Sequence, residues 1–193
     1  LKLTSSVPDF PLFDRSLYTA MHPDVTSFRG DAFIHYLEYG NHEGRSPHPL
    51  LDVNYYAGRY PETSCFEFSA LEHFIRFGAA KGYDPCELFC VSDYYSQYPD
   101  VKSSGYNPVI HYLRHPGCQP HRDFDSYGYQ IANPDVVRAR INPLSHYLIW
   151  GKSEGRSTVK SHTEQPTLNR VISSTAIMAG KVENVPSVQV DVI

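Results

Sequence analysis

Apolar positions between residues 13 and 157 recur at helical rather than strand spacing, and the same arrangement comes round four times. Segments opening at Phe13-Asp14, Leu51-Asp52, Phe89-Cys90 and Phe124-Asp125 are offset by 38, 38 and 35 residues. A proline follows ten residues later in each (Pro23, Pro61, Pro99, Pro134), and a histidine twelve residues after that (His35, His73, His111, His146). From histidine to the next connector proline is 12 residues in the first two copies and 9 in the third, so that connector has lost three residues. Such internal repetition is the first thing a sequence should be searched for, because it sets the architecture.

Each copy reads as two short helices. The first follows an apolar anchor and an acid (Asp14, Asp52, Asp125) suited to accept a bond from an orphan amide at the helix start. Tyrosine recurs four residues after the acid position, at Tyr18, Tyr56, Tyr94 and Tyr129, an aromatic ladder that reads as core or inter-unit packing, the alternative being an exposed row that stacks on sugar rings. The helix should stop before the proline, since the preceding residue is disfavoured in the α region. The second helix opens most clearly at Asn107-Pro108 and Asn142-Pro143, a cap followed by a residue suited to the first helical position. Its predicted apolar stripe comprises Phe33, Tyr36 and Leu37 in the first copy, with Leu71, Phe74 and Ile75 in the second. Val109, Tyr112 and Leu113, then Leu144, Tyr147 and Leu148, continue it. Gly40, Gly78 and Gly151 are expected as left-handed helix stops, and the third copy, with Pro116-Gly117-Cys118, should end irregularly.

Helices this short do not persist alone, so neighbouring copies must share their apolar faces. The expected fold is all-α: four tandem two-helix repeats of about 35–38 residues, stacked as a short solenoid or compact bundle across residues 13–157. Residues 1–12 form an N-terminal lead and residues 158–187 a polar linker. The alternating, β-branched residues 188–193 read as one orphan strand, the first of a domain cut away.

Composition narrows the function classes. The chain has 193 residues, with 41% apolar, 20% charged and a net charge of -4, which gives no general attraction to nucleic acid or anionic lipid. No apolar run reaches the ~20 residues of a membrane span. The chain opens on Leu1 without a basic-then-apolar leader, and reads as an excerpt of a longer protein. Cys65, Cys86, Cys90 and Cys118 lack zinc or disulfide-framework spacing and read as free thiols, favouring a reducing, cytoplasmic setting.

The chemical candidates reduce to structural roles. Four histidines in register invite a metal, but equivalent positions on successive units form a row rather than converging on one ion. Each histidine lies two residues past the stripe's start, about 200° around the helix, which points it to the opposite face and toward a connector or backbone carbonyl. Asp123-Phe124-Asp125 matches the D-x-D triad of many nucleotide-sugar transferases, yet Asp125 occupies the cap position that Asp14 and Asp52 fill without a triad. The acids after each proline (Asp24, Glu62, Asp100, Asp135) read as turn caps, and Arg45 and Arg156 as solvated or paired. No catalytic, cofactor-binding or metal-ligating residue is assigned. No glycine-rich phosphate loop or hydrolase motif occurs.

The phrase F-D-x-x-x-Y-x-x-x-Y-P-D-V followed by G-x-N-P-L-x-H-Y-L-x-x-G-x-x-E-G-R resembles helical repeats of large bacterial glycosyltransferases. Those repeats lie beside family 2 type catalytic domains and rhamnan-synthesis-like proteins. Phe13–Arg45, Leu51–Asp84, Phe89–Pro120 and Phe124–Arg156 carry the phrase, with departures at Leu51, Glu62, Cys90 and the third connector. Val190-Asp191-Val192-Ile193 is similar to the opening strand of such a catalytic domain, commonly V-D-V-I-I-P. The resemblance implies a non-catalytic repeat region that positions the enzyme or holds a protein partner or glycan. The parent would move sugar from a nucleotide-sugar to a growing polysaccharide with a divalent metal, and its active site would lie beyond Ile193. Similar repeats also accompany secreted calcium-binding arrays, which makes a free-standing secreted or surface adhesion module the alternative.

Overall fold

The computed structural model describes residues 12–65 and 69–158, with side chains omitted at 64 and 65. Every regular element among them is helical, as the periodicity requires; extended pairing is confined to isolated bridges such as His48–Leu51. The orphan strand at 188–193, nearly all of the linker and most of the N-terminal lead lie outside the described residues.

The four copies fold to one plan. A seven-residue leading helix opens each: Arg15–Met21, Val53–Arg59, Val91–Gln97 and Ser126–Ala132. Asp14 accepts the Leu17 amide at 2.8 Å, Asp52 those of Asn54 and Tyr55 at 3.0 Å, and Asp125 that of Gly128 at 3.0 Å. Cys90, in the same position of the third unit, gives its helix no side-chain cap. The helix closes where the amides of His22, Tyr60, Tyr98 and Asn133 reach back to the carbonyls of Tyr18, Tyr56, Tyr94 and Tyr129 at 2.9–3.0 Å.

The proline does end the leading helix, but it also opens a third helical piece that the two-helix reading lacked. Pro23–Ser27, Pro61–Cys65, Pro99–Ser103 and Pro134–Ala139 are each a short 3-10 or α turn. The physical reason is the asymmetry of proline: it forbids the α region to the residue before it while its own fixed φ starts a new helix at no hydrogen-bonding loss.

The trailing helix begins as α and then widens. Ala32–His35, Ala70–His73 and Pro143–His146 run directly into π turns at Tyr36–Gly40, Phe74–Gly78 and Tyr147–Gly151. The third unit has only the α-helix Pro108–Arg114. Its Pro116 stands where the others have Gly40, Gly78 and Gly151, and without an amide it cannot join the wider turn. The left-handed stops lie four residues later than expected, at Gly44, Gly82 and Gly155, with φ of 69°, 79° and 69°.

Backbone bonds close three of the units on themselves: Asp52 to the Pro85 carbonyl at 3.0 Å, Cys90 to Pro120 at 3.0 Å, and Asp125 to Thr158 at 3.1 Å. Consecutive units then share one continuous apolar core. The Tyr112 hydroxyl bonds Ser126 of the fourth unit at 2.9 Å, and Tyr112 also meets Leu144 and Asn142 there. Tyr36 approaches Ser69 of the second unit in the same way, although its buried hydroxyl makes no well-formed bond among the described residues. The connectors also reach forward, with Ser46 accepting the Val53 amide at 3.1 Å and Asp84 that of Val91 at 2.8 Å.

Candidate functional site

The histidines do not face away from the core. Each makes a hydrogen bond through Nδ1 with the tyrosine hydroxyl of its own leading helix, seventeen residues earlier. The distances are 3.2 Å for Tyr18–His35, 2.9 Å for Tyr56–His73, 2.7 Å for Tyr94–His111 and 2.9 Å for Tyr129–His146. His35, His73 and His146 are buried, and His111 half-buried. The expected orientation fails because the buried arc is centred on Tyr36 rather than on Phe33, with His35 on its one side and Phe33 on its other. Leu37 lies past the far edge and is 51% exposed.

Burial lowers the pKa of His73, His111 and His146, keeping the imidazoles neutral. It also pushes the Tyr18 and Tyr129 hydroxyls up to about 12 and raises those of Tyr56 and Tyr94. A hydroxyl and an imidazole held together in a low-dielectric setting make a positioning bond.

The same tyrosines explain the glycines. The hydroxyls of Tyr18, Tyr56 and Tyr129 press on Gly40, Gly78 and Gly151, where a Cβ would collide with them. Each glycine closes the π turn that follows the histidine, and a Cβ there would also meet the ring of Tyr36, Phe74 or Tyr147 at 3.1–3.2 Å. Tyrosine, histidine and glycine thus form one brace per unit, with the glycine absent from the third.

The remaining predicted groups lie around the brace. Pro23, Pro61, Pro99 and Pro134 start the middle turns, and Asp14, Asp52 and Asp125 cap the leading helices. Arg45 bridges Asp24 at 2.7 Å and Glu43 at 2.5 Å. Arg156 repeats this with Asp135 at 2.9 Å and Glu154 at 2.5 Å, and adds Asn133 at 2.9 Å. The guanidiniums hold the Asp24 and Asp135 carboxyls below their usual range. In the second unit Tyr83 replaces the arginine, stacking on Tyr60 at 3.9 Å and donating to Glu62 at 2.5 Å. Within the D-x-D triad, Asp125 is the helix cap and the Asp123 amide donates to His121 Nδ1 at 3.2 Å. No group of three or more metal-ligating side chains converges among the described residues, and Cys86, Cys90 and Cys118 are free thiols.

One row of residues escaped the sequence reading. Four positions after each histidine stand Tyr39, Phe77, His115 and Trp150, with ring centroids 5.6, 5.7, 4.2 and 5.3 Å from that histidine. The recurrence is visible in the sequence, but the aromatic ladder considered there was the buried tyrosine series. This second row reaches outward in the first two units, where Tyr39 is 48% and Phe77 38% exposed. In the fourth unit Trp150 and His146 border an open cleft of about 330 Å³ together with the Arg156 cluster.

No family model, curated protein or solved structure matches the chain.

Proposed function

We propose that this chain is a non-catalytic helical repeat region of a bacterial glycosyltransferase of polysaccharide synthesis, positioning the enzyme or holding a protein partner or glycan. The observation that carries the non-catalytic part is the engagement of each recurring polar group within its own unit. The histidines bond tyrosines, the acids cap helices, and the arginines pair with carboxylates. A catalytic group would instead stand within reach of a substrate with its pKa set near working pH. The attribution to a glycosyltransferase rests on the repeat phrase and on the residues Val190-Asp191-Val192-Ile193. In this reading the nucleotide-sugar and divalent metal belong to the parent's catalytic domain, and the setting is cytoplasmic. No helix among the described residues is long and apolar enough to cross a membrane.

Two measurements test the proposal. The purified chain should release no nucleoside diphosphate from a panel of nucleotide-sugars supplied with magnesium or manganese; turnover would overturn the non-catalytic reading. The coding sequence past Ile193 should continue as Ile-Pro and an aromatic, with a D-x-D some tens of residues on. Glycine-aspartate nonapeptides there would instead make the chain a secreted adhesion module.

A further inference from the structure

We infer that the cleft of the fourth unit is a binding subsite for one neutral hexopyranose ring. The inference rests on the glycan-holding branch of the proposed function and gives it a location.

The cleft is walled by the Trp150 ring and by the apolar side chains of Ile141 and the buried Val136. Its rim is the Arg156 cluster, in which the Asp135 and Glu154 side chains remain 49% and 45% exposed. Carboxylates bound to arginine on one side keep lone pairs free on the other, and these can accept from ligand hydroxyls. His146 lines the cleft as well; its Nδ1 is engaged by Tyr129, so Nε2 is the nitrogen left to a ligand. At about 330 Å³ the cleft is at the small end of ligand sites, the size of a single ring rather than an extended cofactor.

The chemistry selects the ligand. A pyranose has an apolar face of C–H groups and an equator of hydroxyls, which matches an indole beside a charged hydrogen-bonding rim. Two carboxylates against one guanidinium leave the rim negative, which disfavours phosphates and uronates. A purely apolar ligand would leave that rim without partners.

Comparison between the repeats isolates the feature. The first unit has the same cluster at Asp24, Glu43 and Arg45, but Phe28 stands where the fourth has Ala139. Its ring lies edge-on to His35 and Tyr39 at 5.1 and 6.0 Å, over the ground that Ala139 leaves open. The second unit has Tyr83 and the third Cys118 in place of the arginine. The fourth unit is thus the one that combines a small residue, the arginine cluster and an indole.

Trp150 is the only tryptophan in the chain, so intrinsic fluorescence reports directly on the cleft. The full chain is titrated with neutral methyl hexopyranosides, with glucuronate and inorganic phosphate as anionic probes. At least one neutral glycoside should change the Trp150 emission saturably, with a Kd of about 1 mM as expected for a ligand of about thirteen heavy atoms. Ala139→Phe, which imports the first unit's own solution, should weaken it at least about tenfold while leaving the circular dichroism and melting temperature unchanged. Should that variant be unstable, Asp135→Asn, read by calorimetry, must weaken the same glycoside. A silent panel, unaltered binding in both variants, or tighter binding of glucuronate or phosphate would overturn the subsite. None of these outcomes touches the transferase reading, which the nucleotide-sugar assay and the downstream sequence decide separately.

Discussion

The third and fourth units solve the same folding problem with different parts. The fourth has a capping acid, a π turn, a glycine under the tyrosine hydroxyl and a left-handed stop at Gly155. The third has Cys90 for the acid, no π turn, Pro116 for the glycine, and three fewer residues in its connector. Yet the tyrosine–histidine bond survives at 2.7 Å against 2.9 Å, and the closing backbone bond at 3.0 Å against 3.1 Å. The tyrosine–histidine bond, made in all four units, is therefore what defines the unit. The connector can be cut because it runs over the surface, where loss of length has a small entropic consequence.

The comparison can be broken most severely at the position one residue after each histidine. Tyr112 is fully buried beneath the fourth unit, whereas its counterpart Tyr147 is only half-buried. Tyr112→Ala should cost about 3–5 kcal/mol in chemical denaturation, and Tyr147→Ala about half as much. Equal losses would mean that the units do not stack through this ring.

Acid should separate the turns that join units. His48, before the second unit, is fully buried and its pKa falls to about 4, while the third unit's turn has Cys86 in the same position. A histidine whose folded pKa lies below its unfolded 6.5 takes up protons on unfolding, so its contribution to stability is full above about 6.5 and declines as pH falls toward 4. At ~1.4 kcal/mol per pH unit the loss is about 3 kcal/mol. His48→Cys should lessen the slope of the stability profile between pH 6.5 and 4, the remainder coming from His22, His73, His111 and His146, and an unchanged slope would refute the assignment.

Gly151→Ala isolates the brace itself. Helix propensity alone predicts a gain of about 1 kcal/mol, but the Tyr129 hydroxyl leaves no room for a Cβ, so a net loss of about 2 kcal/mol is expected. Gly58→Ala is the control, since nothing lies within 4 Å of its Cβ position and a small gain should follow. If both substitutions stabilise, the hydroxyl does not rest on the glycine.

The smallest effect concerns backbone strain. The middle turn of the third unit is followed by Gly105 at φ 68°, and the corresponding residue of the fourth is Arg140 at φ 55°. Arg140→Gly should stabilise by about 0.5–1 kcal/mol, the left-handed penalty less the added entropy of glycine in the unfolded chain. A destabilised variant would show that the arginine side chain contributes more than the strain removes.

The sequence by itself determined the four-fold repetition, the helical class, the caps at Asp14, Asp52 and Asp125, and the proline breaks. These depend on local chemistry: capping and proline geometry act within a few residues, and a period can be counted. It did not determine where the histidines point, because a 100° wheel presumes a regular α-helix buried on one face. The trailing helices are covered from two sides, and three of the four widen into π turns past the histidine. Nor could the wheel assign Gly40, Gly78 and Gly151, whose reason is a tyrosine hydroxyl arriving from another helix. Only the tertiary structure decided that tyrosine, histidine and glycine form one brace, and that Ala139 leaves open in the fourth unit what Phe28 covers in the first. Those facts arise from contacts between elements 7 to 22 residues apart in the chain, across a break between helices that a helical wheel does not span.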